Sequence, residues 1–289
     1  MMIPGALYLL INNYLPMLGL IVAFKQMDFR VGLLASKWVG FQNFMFLFRS
    51  NDAWIITRNT ILYNLAFIVL NTLVPCVIAI LLNEVRANLA KRFYQTVILV
   101  PYLISIVVVS YVVYGFLNTD AGYVNNTLLP MLGIDRIAWY SQPKYWPLIL
   151  VAVYVWKNFG YSSILYFATL SGIDCCLYEA AYIDGANRWK RIWHITLPGL
   201  KTTIVMLNMI AIGKIFYSDF GLFYQVPMNS GLLFDVTNTI DTYVYRSLLQ
   251  FNDIGLSSAA GFYQSVVGFV LVIAANHIVK KIDTESAAF

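Results

Sequence analysis

Charged positions along this chain are spaced so widely that the apolar runs between them become its main feature. Met1–Phe24, Asn59–Asn83, Phe93–Thr119 and Ile254–Val279 carry no charge, Tyr145–Ile173 carries only Lys157, and Thr196–Ser218 carries only Lys201 and Lys214. Each run is close to the ~20 residues a helix needs to cross a hydrocarbon core. Each must be helical, because lipid offers no partner for a bare backbone amide. The pattern predicts an all-α integral membrane protein of about six transmembrane helices, at roughly 3–25, 57–83, 93–118, 146–172, 196–218 and 255–279, forming one domain over 1–289. Pro16, Pro75 and Pro101 fall inside these runs and are expected as tolerated kinks.

Composition narrows the class. Hydrophobic residues make up 60% of the chain, charged residues 11%, and the mean hydropathy is +0.69. A soluble domain carries about 25% charge, so this chain cannot coat a water-facing surface of normal size and must be solvated by membrane lipid. The net charge of +5 does not point to nucleic acid, because the basic residues are scattered and form no stripe. They orient the chain instead. Segments 84–92, 174–201 and 280–289 contain Arg86, Lys91, Arg92, Arg188, Lys190, Arg191, Lys201, Lys280 and Lys281. Their basic density is roughly twice that of 25–58, 118–145 and 219–253. The positive-inside rule therefore places those segments and both termini in the cytoplasm. Met1 opens directly on apolar sequence, without the charged n-region or small-residue cleavage site of a signal peptide. The expectation is a first helix whose leader is missing or unusually brief. Cys76 lies in an apolar run and Cys175–Cys176 are adjacent, which gives no metal-ligand spacing.

One cytoplasmic loop differs from the rest. Segment 174–201 reads DCCLYEAAYIDGANRWKRIWHITLPGLK. Tyr178–Asp184 favours a short helix that Gly185 can stop in the left-handed conformation. Ala186–His194 can form a second short helix with Trp189, Ile192 and Trp193 on one side, and Pro198 suits the first turn of the next span. Exposed aromatic surface in such a loop calls for a partner.

The residues Glu179-Ala180-Ala181, Gly185, Ile195 and Leu197-Pro198 fit the pattern EAA-x3-G-x9-I-x-LP, and Asp184-Gly185-Ala186 is typical beside it. This resembles the signature of permease subunits of binding-protein-dependent ABC importers. By that resemblance the loop, 174–195, is a coupling helix that docks on an ATP-hydrolysing subunit through Glu179, Ala180, Ala181, Asp184, Gly185 and Trp189. The likeness extends over most of the chain: Asn12–Phe24, Trp38–Phe44, Leu81–Arg86, Trp156-Lys157, Ile183–Pro198 and Ile240–Arg246 resemble the LplB-type branch of sugar permeases, which is similar to the maltose and glycerol-phosphate permeases. The resemblance implies a bacterial plasma-membrane location and import of oligosaccharides released from polysaccharides. It also implies three kinds of protein partner: a second related permease, two copies of a cytosolic ATPase, and an extracellular lipid-anchored binding protein. The chain has no GxxxxGK[ST] loop, so ATP and Mg belong to the partner ATPase. This subunit is expected to bind no cofactor and to perform no bond chemistry. ATP-driven closure of the ATPases is expected to act through the loop and switch the helices from inward-facing to outward-facing.

Intramembrane charge marks a pathway or a partner, which singles out Lys157 and Lys214. Lysine at the first position is common in the resembled family, so a structural pairing or snorkelling role stands beside substrate contact. Lys214 departs from the small residue more usual there. It is a candidate for contact with an acidic sugar such as a uronate, or for pairing with Asp219. Asn158, Tyr161, Asn208, Tyr217 and Tyr224 could supply the amides and flat aromatic faces of a sugar pathway, the alternative being lipid-interface or helix–helix roles. Segment 219–253 is too apolar for a linker and is expected to be a structured cap. His194 and His277 stand without a nucleophile or carboxylate arranged beside them, which argues against a membrane enzyme. A gradient-driven transporter would need intramembrane carboxylates and broken helices, and the acidic residues fall in loops or at span ends.

Overall fold

A computed structural model of the chain describes residues 3–28, 30–85 and 87–282; Arg86 of the expected basic loop lies outside them. Asp52–Asn83 is the axis of the structure. At 1.5 Å per residue its 32 residues extend about 48 Å, well beyond a ~30 Å hydrocarbon core. Three apolar clusters succeed one another along it. Ile56 joins Leu47, Phe216, Ile240 and Leu256; Tyr63 and Phe67 join Trp146, Leu150, Phe223 and Leu233; Cys76 and Ala79 join Tyr166, Leu170 and Leu200. Trp146–Ser171 packs along its length.

Among the described residues, five helices are long and apolar enough to cross a membrane: Ile3–Phe24, Asp52–Asn83, Pro143–Ser171, Arg188–Ile212 and Ile254–Ala274. Asn88–Leu103 and Ile106–Leu117 are long and apolar enough only as a pair, which bends by 92° in the manner of a broken span or a re-entrant loop. The sequence predicted one span over 93–118 with a tolerated kink at Pro101. The chain instead becomes extended at Ile104 and Ser105, just after Pro101. The ammonium of Lys157 donates to the freed carbonyls of Tyr102 (3.0 Å) and Ile104 (2.6 Å). Gly160, one turn on from Lys157, lets the two helices meet backbone to backbone, since a Cβ there would fall 1.8 Å from the carbonyl oxygen of Ile98.

Pro16, Pro130 and Pro198 share a device. Each follows a π turn, at Leu10–Tyr14, Val124–Leu128 and Ile192–Thr196. The residue before each proline reaches back five positions: Leu15 to Leu10, Leu129 to Val124, Leu197 to Ile192. A proline ring collides with the carbonyl four residues earlier in a regular helix, and the wider turn removes that collision. So Pro198 does not begin a new helix: Arg188–Arg191, the π turn and Leu197–Ile212 run on as one. That corrects the expected separate short helix over 186–194. Pro75 sits inside a regular helix with no such turn.

The ends of the Asp52–Asn83 helix carry the two remaining features. At one end a cap of short helices, Phe220–Gln225, Gly231–Leu233, Phe234–Thr237 and Ile240–Leu249, folds over it, with Asn59 donating to the carbonyls of Asp235 and Asn238. Arg246 is buried there at 3% exposure, bonded to Asn229 and Asn238 and packed 3.9 Å from the Phe234 ring centre. Burial pushes its pKa down to about 10. At the other end Glu84 pairs with Arg188 at 3.2 Å and a knob projects.

Candidate functional site

The knob is built by local rules. Asp174 caps Cys175–Ile183 by accepting the Cys176 N–H at 2.9 Å, a bond that holds its carboxyl below the usual pKa. Gly185, at φ +71°, ends the helix. Ala186 N–H donates to Ala181 C=O (2.9 Å) and Gly185 N–H to Tyr182 C=O (3.1 Å), the paired bonds of a Schellman motif. Asn187 then caps the next helix through Lys190 N–H at 2.9 Å. The Tyr178 hydroxyl ties the knob to its base at Thr196, 3.1 Å away. Asp174, Cys175 and Cys176 bring ligand-type atoms within 4.8 Å of one another, but all are exposed and the carboxylate is committed to the cap.

What this scaffold presents is a set of uncovered apolar side chains. Ile183 is 84% exposed, Tyr182 73%, Trp189 71% and Trp193 64%. Glu179, Ala180, Asp184 and Gly185 are exposed beside them, and Ala181 and Ile192 are half-buried.

The second site is a cavity of about 470 Å³ against the middle of the Asp52–Asn83 helix. It gathers Asn158, Tyr161, Asn208, Lys214 and Tyr217 of the sequence-derived candidates, with Asn64, Asn71, Thr72, Ser162 and Asp219. Polar pairs bind the walls: Thr72 to Asn208 at 2.9 Å and Asn71 to Ser162 at 3.2 Å. Phe67 and Tyr154 stack at 3.7 Å between ring centres, and Tyr161 stacks on Tyr102 at 4.8 Å.

The span expected over 196–218 stops at Ile212, and the chain turns through Gly213–Phe216 at the cavity wall. Non-helical backbone at membrane depth must find protein partners. Asn64 donates to the carbonyls of Ile215 (2.9 Å) and Tyr217 (3.0 Å), and Gln264 to that of Phe216 (2.9 Å). Asp241 of the cap accepts the N–H and hydroxyl of Ser218.

Two candidates leave the cavity. Lys157 is engaged by the Tyr102 and Ile104 carbonyls and is not among its lining residues. Tyr224 belongs to the cap, packed with Phe220 and Tyr245. Nor do Lys214 and Asp219 pair; the Asp219 carboxylate accepts Leu222 N–H at 3.0 Å, and among the described residues the ion pair is Arg188–Glu84. Sequence reasoning passed over Asn64 and Asn71, although their spacing of seven, with Thr72 beside them, puts three polar side chains on one helix face in an apolar run.

Comparison with known proteins bears on both sites. Residues 71–284 match the family model described as binding-protein-dependent transport system inner membrane component. Protein LplB of Bacillus subtilis is 37% identical over 285 residues, covering 99% of this chain and 89% of that protein. A crystal structure of a bacterial ABC transporter involved in the import of the acidic polysaccharide alginate matches with TM-score 0.87 at 34% identity, covering 97% of this chain and 93% of that one. The bacterial alginate ABC transporter in complex with an alginate pentasaccharide-bound periplasmic protein matches with TM-score 0.86 at 34% identity, covering 97% and 92%.

Proposed function

Because the chain belongs to the family of binding-protein-dependent transport system inner membrane components, and is a transport permease rather than an enzyme, we propose that it forms half the pathway of an ATP-driven oligosaccharide importer. The observation that carries this reading is the knob. It places Glu179, Ala180, Asp184 and Gly185 beside four uncovered apolar side chains at one end of the axial helix. Such a rim in water needs a cover, and an ATP-hydrolysing subunit would supply it. Two copies would serve this chain and a second related permease, with ATP and Mg held on those partners. The basic residues Arg188, Lys190 and Arg191 flank the rim, which supports a cytoplasmic knob and cytoplasmic termini. The cap, at the opposite end of the axial helix, then faces outward, towards a lipid-anchored binding protein that delivers the sugar.

The cavity supports the sugar half of the reading. Its amides, hydroxyls and tyrosine rings are the groups that bond sugar hydroxyls and stack on sugar faces. The import of an acidic polysaccharide by a structural neighbour points to the same class of cargo. Transport is assigned by reconstituting the complex in proteoliposomes and measuring ATPase activity with and without sugar-loaded binding protein. Trp189→Ala/Trp193→Ala is expected to abolish the stimulation and the co-purification of the ATPase while leaving the permease folded. A double variant that co-purifies and is stimulated normally sinks the docking role of the knob.

A further inference from the structure

We propose that Lys214 reads a carboxylate on the transported sugar, so that the cavity prefers uronate-containing oligosaccharides; this rests on the oligosaccharide reading above. The first support is that the break presenting Lys214 is constructed. A continuous helix would satisfy its own carbonyls between 213 and 218. Here Asn64 holds two of them and Gln264 a third, while Asp241 holds the Ser218 N–H. Side chains from three separate elements keep this segment unwound, and it is the segment that turns Lys214 and Tyr217 to the cavity.

The second support is the charge of the lining. Lys214 and Asp219 are its charged members. Asp219 accepts the Leu222 N–H through Oδ1 at the start of Phe220–Gln225 and makes no ion pair with Lys214. The Lys214 ammonium has no hydrogen bond or ion pair among the described residues. This contrasts with Lys157, whose ammonium is engaged by two carbonyls. A cation at membrane depth needs a partner, and the fold leaves this one facing the path rather than its own walls. The group that complements an ammonium best is a carboxylate, through charge-assisted hydrogen bonds. Asn158, Asn208, Tyr161 and Tyr217 surround the same space with partners for the hydroxyls and ring faces of such a sugar.

Equilibrium binding of labelled trigalacturonate and of its carboxyl-reduced counterpart tests this on the intact permease–ATPase complex in lipid nanodiscs. Leaving out the binding protein removes that partner's own selectivity. Wild type should favour the acidic sugar by about tenfold, the scale of one charge-assisted hydrogen bond. Lys214→Met should erase the preference with neutral-sugar binding unchanged, and Lys214→Arg should keep it. The inference is overturned if Lys214→Met retains the preference. It is equally overturned if that variant weakens both sugars alike, which would assign the ammonium to a carboxylate of the second permease. Failure of wild type to bind either sugar would instead remove the cavity reading, and this inference with it.

Discussion

Gly185 stands at φ +71° with nothing within 4 Å of the place a Cβ would take, so substitutions there change backbone preference without a clash inside this chain. The left-handed conformation costs an ordinary L-residue ~1–2 kcal/mol, and less for Asn or Asp, whose short polar side chains bond locally. A β-branched residue is a true outlier there. The motif that Gly185 closes rests on the Ala186–Ala181 and Gly185–Tyr182 bonds, each with a net value of ~0.5–1.5 kcal/mol. The substitution therefore removes an amount comparable to one of these bonds, and shifts the ratio of closed to frayed knob by roughly 5- to 30-fold. If docking needs the closed form, sugar-stimulated ATPase activity in proteoliposomes should fall in the order Gly185→Asn, Gly185→Ala, Gly185→Val. Gly185→Asn should stay near wild type. Gly185→Asp should exceed Gly185→Asn in its effect through the negative charge it adds on the docking face. Full stimulation of Gly185→Val would refute the reasoning; equal loss in Gly185→Asn and Gly185→Val would transfer the effect from backbone conformation to side-chain contact.

Lys157→Met should orphan the Tyr102 and Ile104 carbonyls. A loss on the order of 3 kcal/mol at ~2–4 °C per kcal/mol predicts a Tm roughly 6–12 °C lower for the solubilised complex; an unchanged melting curve would deny the lysine its structural role. Gly160→Ala should push the Asn88–Leu103 and Trp146–Ser171 helices apart, because the new methyl would meet the Ile98 carbonyl oxygen at 1.8 Å. Overpacking of this kind costs ~1–3 kcal/mol, and a thermal scan showing no loss would contradict the close approach. Asp241→Ala leaves the Ser218 N–H without its acceptor. Sugar uptake should fall while co-purification of the ATPase through the distant knob persists, and loss of both together would mean general unfolding instead.

The spans and the knob were legible because their causes are local. Charge spacing marks membrane crossing, and the glycine that ends the Cys175–Ile183 helix lies within its own motif. The two helix breaks were not legible, because what sustains them is distant. Lys157 reaches carbonyls 55 and 53 residues earlier, and Asn64 holds carbonyls 151 and 153 residues later. No window along the chain contains both partners. Pro101 gave a kink where the chain turns by 92°, since a proline alone does not say whether the freed carbonyls will find a donor. Tyr224 was misplaced for a related reason: counting polar aromatics after a span cannot tell a cavity wall from the packed cap it occupies.

The two intramembrane lysines show why residue type underdetermines role. Both lie in apolar runs and both stand beside a break in a helix. Lys157 sits on the intact Trp146–Ser171 helix opposite its break, so its ammonium meets carbonyls already in place and is consumed by the fold. Lys214 sits within its own break, whose carbonyls are already taken by Asn64 and Gln264. Amide donors there do for the backbone what a lysine does at the other break, and they do it without charge. The ammonium is thereby freed from a structural duty. A break held by neutral groups can thus present a cation to the path, whereas a break held by a cation cannot, and the identity of the donors at each break is what separates a structural lysine from one available to cargo.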